Sequence, residues 1–193
     1  MTNKIQEANL AMVVSKTFSG LNVNALRYLL PLWIAPLTGV TFRCVFAAVA
    51  FWIIGYWAKP ETASVKDKIY LFLLGAVGIY GYMFSYLMGL SKTTPVSAAI
   101  FTSMQPIWVF ILSVFFFNEK ATVMKIVGIL VGLGGALLCI STQKSDDLAS
   151  DAFSGNLFCL VSSVIYAVYL ILSNRFLKRT GPYTLMRYTF SGA

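Results

Sequence analysis

Polar side chains recur at helical spacing in an otherwise apolar chain. Ser15, Ser19 and Asn22 follow one another at i, i+4 and i+7, with Lys16 beside them. A second set is Gly75, Gly78, Tyr82, Ser85 and Gly89, a third is Ala98, Thr102 and Gln105, and a fourth is Ser162, Tyr166, Tyr169 and Ser173. Such spacing puts each set on one face of a helix. In lipid, polar side chains turn toward the bundle interior or water. One reading is therefore a polar cavity between four helices, lined by Lys16, Ser19, Asn22, Tyr82, Thr102, Gln105, Ser162, Tyr166 and Tyr169. The other is interhelical contact, in which small residues allow close approach and hydroxyls bond across. The glycines of the second set favour packing.

Two cations stand inside apolar stretches. Lys16 either snorkels back to the headgroups or faces the cavity and attracts an anionic group. Arg43 is expected to be tied to backbone carbonyls rather than to a ligand. Glu119, next to Lys120, precedes a helix start, where a carboxylate complements the dipole, so its expected role is structural. No Asp or Glu lies deep in an apolar stretch, so a carboxylate proton relay has no candidate. Histidine is absent, which removes His-based metal sites and the Ser-His-Asp triad. Cys44, Cys139 and Cys159 form no CxxC pair and read as buried small residues. No cofactor or metal is implied.

The elements that must position these residues are membrane helices. Of 193 residues, 58% are hydrophobic and 11% charged, and the mean hydropathy is +0.76. Soluble domains carry about 25% charged residues. Spans are expected at about Ala8–Leu30, Leu37–Ala58, Ile69–Leu90, Pro95–Phe117, Thr122–Ser141 and Gly155–Leu177. Each approaches the roughly 20 residues that cross a core of about 30 Å. A seventh apolar segment, Tyr183–Ala193, is too short to cross. Met1–Glu7 is polar and no cleavage site follows, so the first helix is expected to stay in the membrane. The formal charge of +8 is scattered singly at helix ends, which speaks for the positive-inside rule and against nucleic acid. Lys4, Lys59, Lys66, Lys68, Lys120, Lys125, Arg175, Lys178 and Arg179 fall on one side. Only Arg27, Lys92 and Lys144 fall on the other, so a cytoplasmic N-terminus and an external loop at 142–154 are expected.

The hairpin from Thr93 to Ser141 adds a recognisable order. Pro95 can open its first helix, Pro106 should bend it and free a backbone carbonyl, and Thr122 can cap the second. Gly128, Gly132 and Gly135 then form a face suited to close helix contact, within the chain or with a second copy as a homodimer. Taken together, Pro95, Ala98, Ala99, Pro106, Glu119, Thr122, Gly128, Gly132 and Gly135 resemble the first-repeat signature of EamA-type transporters of the drug/metabolite transporter superfamily.

That resemblance implies an all-α integral membrane fold of ten helices in two inverted five-helix repeats. Residues 1–141 would be the first repeat, 142–154 an external loop and 155–193 the start of the second. A faint internal match agrees: Asn9-Leu10 with Val14-Ser15 recurs as Asn156-Leu157 with Val161-Ser162, five spans later and hence inverted. On this pattern span six has lost most of its partners. Its polar face, Ser162, Tyr166, Tyr169 and Ser173, should meet lipid or another molecule, the Tyr183–Ala193 segment should be mobile or misplaced, and the first five helices should pack as a unit. The resemblance implies a secondary transporter in a bacterial cytoplasmic membrane, moving amino acids, related metabolites or drugs by alternating access. The alternatives are a membrane enzyme acting on lipid-borne substrates, which lacks clustered carboxylates, metal spacing and a phosphate loop, and a non-transporting interaction protein.

Overall fold

Two polar ties fix how the chain's longest helices run. Arg179 pairs with Asp67 at 3.4 Å, and the Thr93 hydroxyl donates to the Asn156 side chain at 2.7 Å. One partner of each pair belongs to the rod 65–92 or its end and the other to the helix 152–180, at opposite ends, so the two are antiparallel. This is the arrangement in a computed structural model, which describes residues 2–30, 32–57, 61–117, 122–141 and 151–193.

The described residues are helical almost throughout. Helix α1 is Thr2–Leu29 and α2 is Pro36–Trp57. The rod consists of α3 (Val65–Leu74), a π-helical turn (Gly75–Tyr80) and α4 (Gly81–Lys92). Then follow α5 (Pro95–Ser103), α6 (Gln105–Phe117), α7 (Val123–Ser141), α8 (Ala152–Thr180) and α9 (Pro182–Gly192). Among the described residues, four helices are long and apolar enough to cross a membrane: Pro36–Trp57, Val65–Lys92, Pro95–Phe116 and Ala152–Thr180. Leu32, Phe46, Phe115, Phe116 and Phe153 lie on the outside, as lipid-facing residues do.

Local chemistry explains the breaks. Thr94 caps α5, its hydroxyl accepting from the Ser97 N–H at 3.1 Å, and Pro95 takes the first turn. The helix is interrupted at Met104, two residues before Pro106, which has no N–H to give to the Thr102 carbonyl. Helix α7 starts directly after Thr122. The turn Asn118-Glu119-Lys120, with the expected role of Glu119, and residues 142–150 of the loop lie outside the described residues, as does the side chain of Cys139. Cys44 and Cys159 are free and buried.

The core sits where α4 meets α8. Gly89 leaves no room for a Cβ, which would fall 2.5 Å from Cys159 Sγ and 2.8 Å from the Gly155 carbonyl. At Gly155 a Cβ would meet Thr93 at 2.8 Å. Leu87, Leu90, Val40, Ala98 and Cys159 fill the space around this crossing. The glycines of the third span are thus packing residues, as their spacing suggests.

Three expectations change. The polar face of span six meets protein rather than lipid: Ser162, Ser163, Tyr169 and Ser173 are buried, because the bare glycines of the rod let α8 approach. The segment after Pro182 is an ordered helix with partners. Phe190 stacks on Phe51 at 5.3 Å, Ser191 accepts from the Trp52 indole at 2.9 Å, and the Gly75 and Gly192 backbones press on Thr189 and Phe72. Its N-terminus is capped from afar: Glu61 accepts from the N–H groups of Tyr183 (3.3 Å) and Thr184 (2.7 Å). Gly181, at φ 85°, folds directly over that carboxylate. Finally, the first five spans do not pack as one unit. Helix α1 touches the core only through its last turns, at Val23, Leu26 and Leu30. Helix α7 lies at the edge, where Gly128 and Gly135 meet nothing within 4 Å and Gly132 faces only Ile107 at 3.6 Å.

Candidate functional site

Tyr82 stands near the middle of the rod, just after the π-helical turn has ended. Tyr166 stands near the middle of α8. Their ring centroids are 4.7 Å apart, with planes inclined by 40°, a separation at which aromatic quadrupoles attract. One turn along the rod, Tyr86 lies 6.1 Å from Tyr82, and Tyr169 lies 6.0 Å from Tyr166. Tyr169 is seated on Gly78, whose Cβ would come within 2.9 Å of the ring. Four tyrosines from two antiparallel helices thus form a wall at mid-depth.

The interrupted helix supplies the polar groups opposite. Gln105 is within reach of Tyr82, and Thr102 within reach of Tyr86. Both side chains flank the break between α5 and α6, where Pro106 ends regular hydrogen bonding. The Thr102 hydroxyl also donates to the Ala98 carbonyl at 2.8 Å. Arg43, half-buried on α2, is close enough to act electrostatically on both Tyr82 and Tyr86. Among the described residues no carboxylate pairs with it, since the ion pair there joins Asp67 to Arg179 at the rod's far end.

Two buried donors find no acceptor among the described residues, the Trp108 indole N–H and the Arg187 Nε, and the Tyr169 hydroxyl has only Thr189 within reach. Arg187 belongs to α9, where its guanidinium lies over the Trp52 ring at 5.0 Å. Tyr169 lies beside Thr189, whose own hydroxyl donates to the Leu185 carbonyl at 2.8 Å. An unsatisfied buried donor costs about 1–3 kcal/mol, so groups of this kind are suited to a ligand or water.

The residues singled out by spacing divide into two groups. Tyr82, Thr102, Gln105, Tyr166 and Tyr169 come together, and Arg43 joins them at the rim. Ser162 lies one turn before Tyr166, its hydroxyl turned back to the Cys159 carbonyl at 2.7 Å. Lys16, Ser19 and Asn22 are elsewhere, on the exposed side of α1; Lys16 borders a shallow groove with Asn9 and Val13. Sequence spacing missed Tyr86 and Trp108. Tyr86 is i+4 from Tyr82, a signal strong enough to find it, but Trp108 reads as one more apolar residue until its buried N–H is seen.

This arrangement offers flat aromatic faces, hydroxyls, an amide and one cation. Among the described residues no group of three His, Cys, Asp or Glu side chains could hold a metal ion.

The fold and site define a multi-pass helical membrane protein with a polar aromatic centre. Residues 6–141 match the EamA-like transporter family, and the chain belongs to that family, within the drug/metabolite transporter superfamily. The uncharacterised transporter YyaM of Bacillus subtilis is 26% identical over 175 residues, covering 89% of this chain and 57% of the relative. An uncharacterised transporter of Archaeoglobus fulgidus is 26% identical over 176 residues, covering 91% and 60%. The aromatic amino acid exporter YddG of Ancylobacter novellus is 27% identical over 105 residues, covering 54% and 37%. One solved crystal structure shares the fold, with a TM-score of 0.57 at 19% identity, over 92% of this chain and 64% of that one. The chain therefore spans about three fifths of the length of its first relatives. Membership of a transporter family sets aside the membrane-enzyme alternative.

Proposed function

We propose that the protein is a secondary transporter that moves small metabolites across a bacterial cytoplasmic membrane by alternating access, and that Tyr82, Tyr86, Thr102, Gln105, Tyr166 and Tyr169 hold the substrate. The observation that carries this is the meeting of three separate elements at mid-depth, each interrupted or laid bare there. The rod has its π-helical turn beside Tyr82, the α5–α6 helix breaks at Met104, beside Gln105, and α8 contributes Tyr166. Transporter sites lie near the midplane and use discontinuous helices, and π turns recur at functional sites.

The chemistry favours a substrate with a flat apolar part and a polar or anionic head: rings stack on tyrosine faces, and Arg43 attracts the head. Amino acids and related metabolites fit this description, and the name of the YddG relative points the same way. Ten helices in two inverted repeats is the architecture in this reading. It is supported by the antiparallel pairing of α8 with the rod and by the greater length of the relatives. Lys16, Ser19 and Asn22 stay outside the proposed site. The glycine face of α7 is open to a second copy, but nothing in the geometry requires one.

The test is efflux from cells carrying the complete gene, preloaded with labelled amino acids and related organic acids. The reading predicts saturable efflux of at least one compound above that of cells without the gene, competed by its analogues. Efflux indistinguishable from the control across the set would favour the non-transporting alternative.

A further inference from the structure

At the basic end of the bundle, α3 and α8 part to leave a cavity of about 440 Å³, within the usual size of small-molecule sites. Its walls are almost wholly apolar: Tyr70 from α3, and Leu172 and Phe176 from α8. The Tyr70 and Phe176 rings lie 6.4 Å apart along it. Tyr70 and Leu172 remain 61% and 49% exposed, so the groove opens sideways rather than into the tyrosine centre. Arg175 and Arg179, one turn apart on α8, stand at the mouth.

The charges there do not cancel. Asp67, buried, pairs with Arg179 at 3.4 Å. Arg175 is exposed and has no carboxylate among the described residues. Two guanidinium groups and one carboxylate leave one positive charge, and exposed Lys66 and Lys178 add to the local field. The position along the helix matters as well. Helix α8 has 29 residues, about 43 Å at 1.5 Å per residue, against a hydrocarbon core of about 30 Å. With the helix midpoint at the midplane, its last turns reach the headgroup layer, with Leu172 at the hydrocarbon side and the long Arg175 and Arg179 side chains within reach of the phosphates. A tyrosine at this depth is typical of the interface.

We propose that this groove is a binding site for an anionic phospholipid. The phosphate sits between Arg175 and Arg179, and an acyl chain lies along Tyr70, Leu172 and Phe176. One phosphodiester charge neutralises the single uncompensated guanidinium, and basic pockets between membrane helices are suited to such headgroups. A soluble anion would use the arginines but leave the apolar groove open to lipid.

The experiment is native mass spectrometry of the purified protein in detergent, with phosphatidylglycerol and phosphatidylcholine of identical chains added in equal amounts. Phosphatidylglycerol should bind in preference. Arg175→Gln should reduce that preference roughly five-fold, the usual weight of one basic residue near an anionic lipid. Arg175→Lys should retain it, and Leu172→Trp, which fills the groove, should lower binding of both lipids. Unchanged thermal unfolding shows that a variant is folded; should Arg175→Gln not fold, the Lys and Trp variants still decide. Equal binding of the two lipids by the parent, full preference in Arg175→Gln, undiminished binding in Leu172→Trp, or displacement of the lipid by equimolar glycerol phosphate would each overturn the proposal.

Discussion

At Gly89 a single methyl group has nowhere to go. Its nearest neighbours would be Cys159 Sγ and two backbone atoms of α8, all within 2.9 Å, and backbone cannot swing aside as a flexible side chain can. Gly89→Ala should therefore force the rod and α8 apart and cost about 1–3 kcal/mol, the range for overpacked cores. Gly128→Ala, with nothing within 4 Å of the added carbon, should be neutral or slightly stabilising, since alanine is the better helix former. Thermal unfolding in detergent separates the two: a clear fall in midpoint for the first and none for the second. Equal midpoints would mean that α4 and α8 do not meet as described. Tyr82, Tyr166 and Tyr169 were legible in the sequence for the same geometric reason as the glycines, since positions i, i+3 and i+4 share a face whatever they touch. What the face touches was not legible. The stripe of α1 and the stripe of α8 look alike in sequence. Yet α8 is buried because glycines receive it, while Lys16, Ser19 and Asn22 are exposed.

The helices and their breaks were largely readable, because their causes are local. Pro95 opens α5, Pro106 follows the interruption at Met104, and α7 begins after Thr122. The π-helical turn was not readable, because it serves a contact between Gly75 and Thr189, far apart in sequence. Nor was the cap of α9, where Glu61 acts from more than a hundred residues away. The expected orientation rests on which helix ends carry charge. Lys66, Lys68, Arg175, Lys178 and Arg179 gather where α3 begins and α8 ends, while Lys92 stands at the other end, beside Ser154 at 3.3 Å. Loops rich in lysine and arginine stay in the cytoplasm. We therefore predict that, in a background without native cysteines, Ala152→Cys reacts with an impermeant thiol reagent in intact cells, and that Ser64→Cys reacts only after the membrane is opened. The reverse pattern would invert the orientation.

On the scale of the molecule, the rod from the first half of the chain and α8 from the second meet at one centre. Residues 152–192 do not trail from the bundle. They pack into it, with α8 against the rod and α9 against α2, and the tyrosine wall exists only because α8 is there. Expecting this segment to be loose rested on counting missing helices, which ignored how well the glycines of the rod already received α8. The central claim is that this wall, rather than the exposed stripe of α1, is where substrate is held. The direct measurement is flux of the transported compound in proteoliposomes containing the complete protein, for Tyr166→Ala, Gln105→Leu and, as a control, Tyr56→Ala, whose side chain is 85% exposed. Removing an aromatic ring that stacks on the substrate costs about 1 kcal/mol or more. Tyr166→Ala should therefore lower kcat/KM by roughly five-fold or more at unchanged protein abundance, with Gln105→Leu also reduced and Tyr56→Ala at the parent level. Parent-level flux in both Tyr166→Ala and Gln105→Leu would contradict the account.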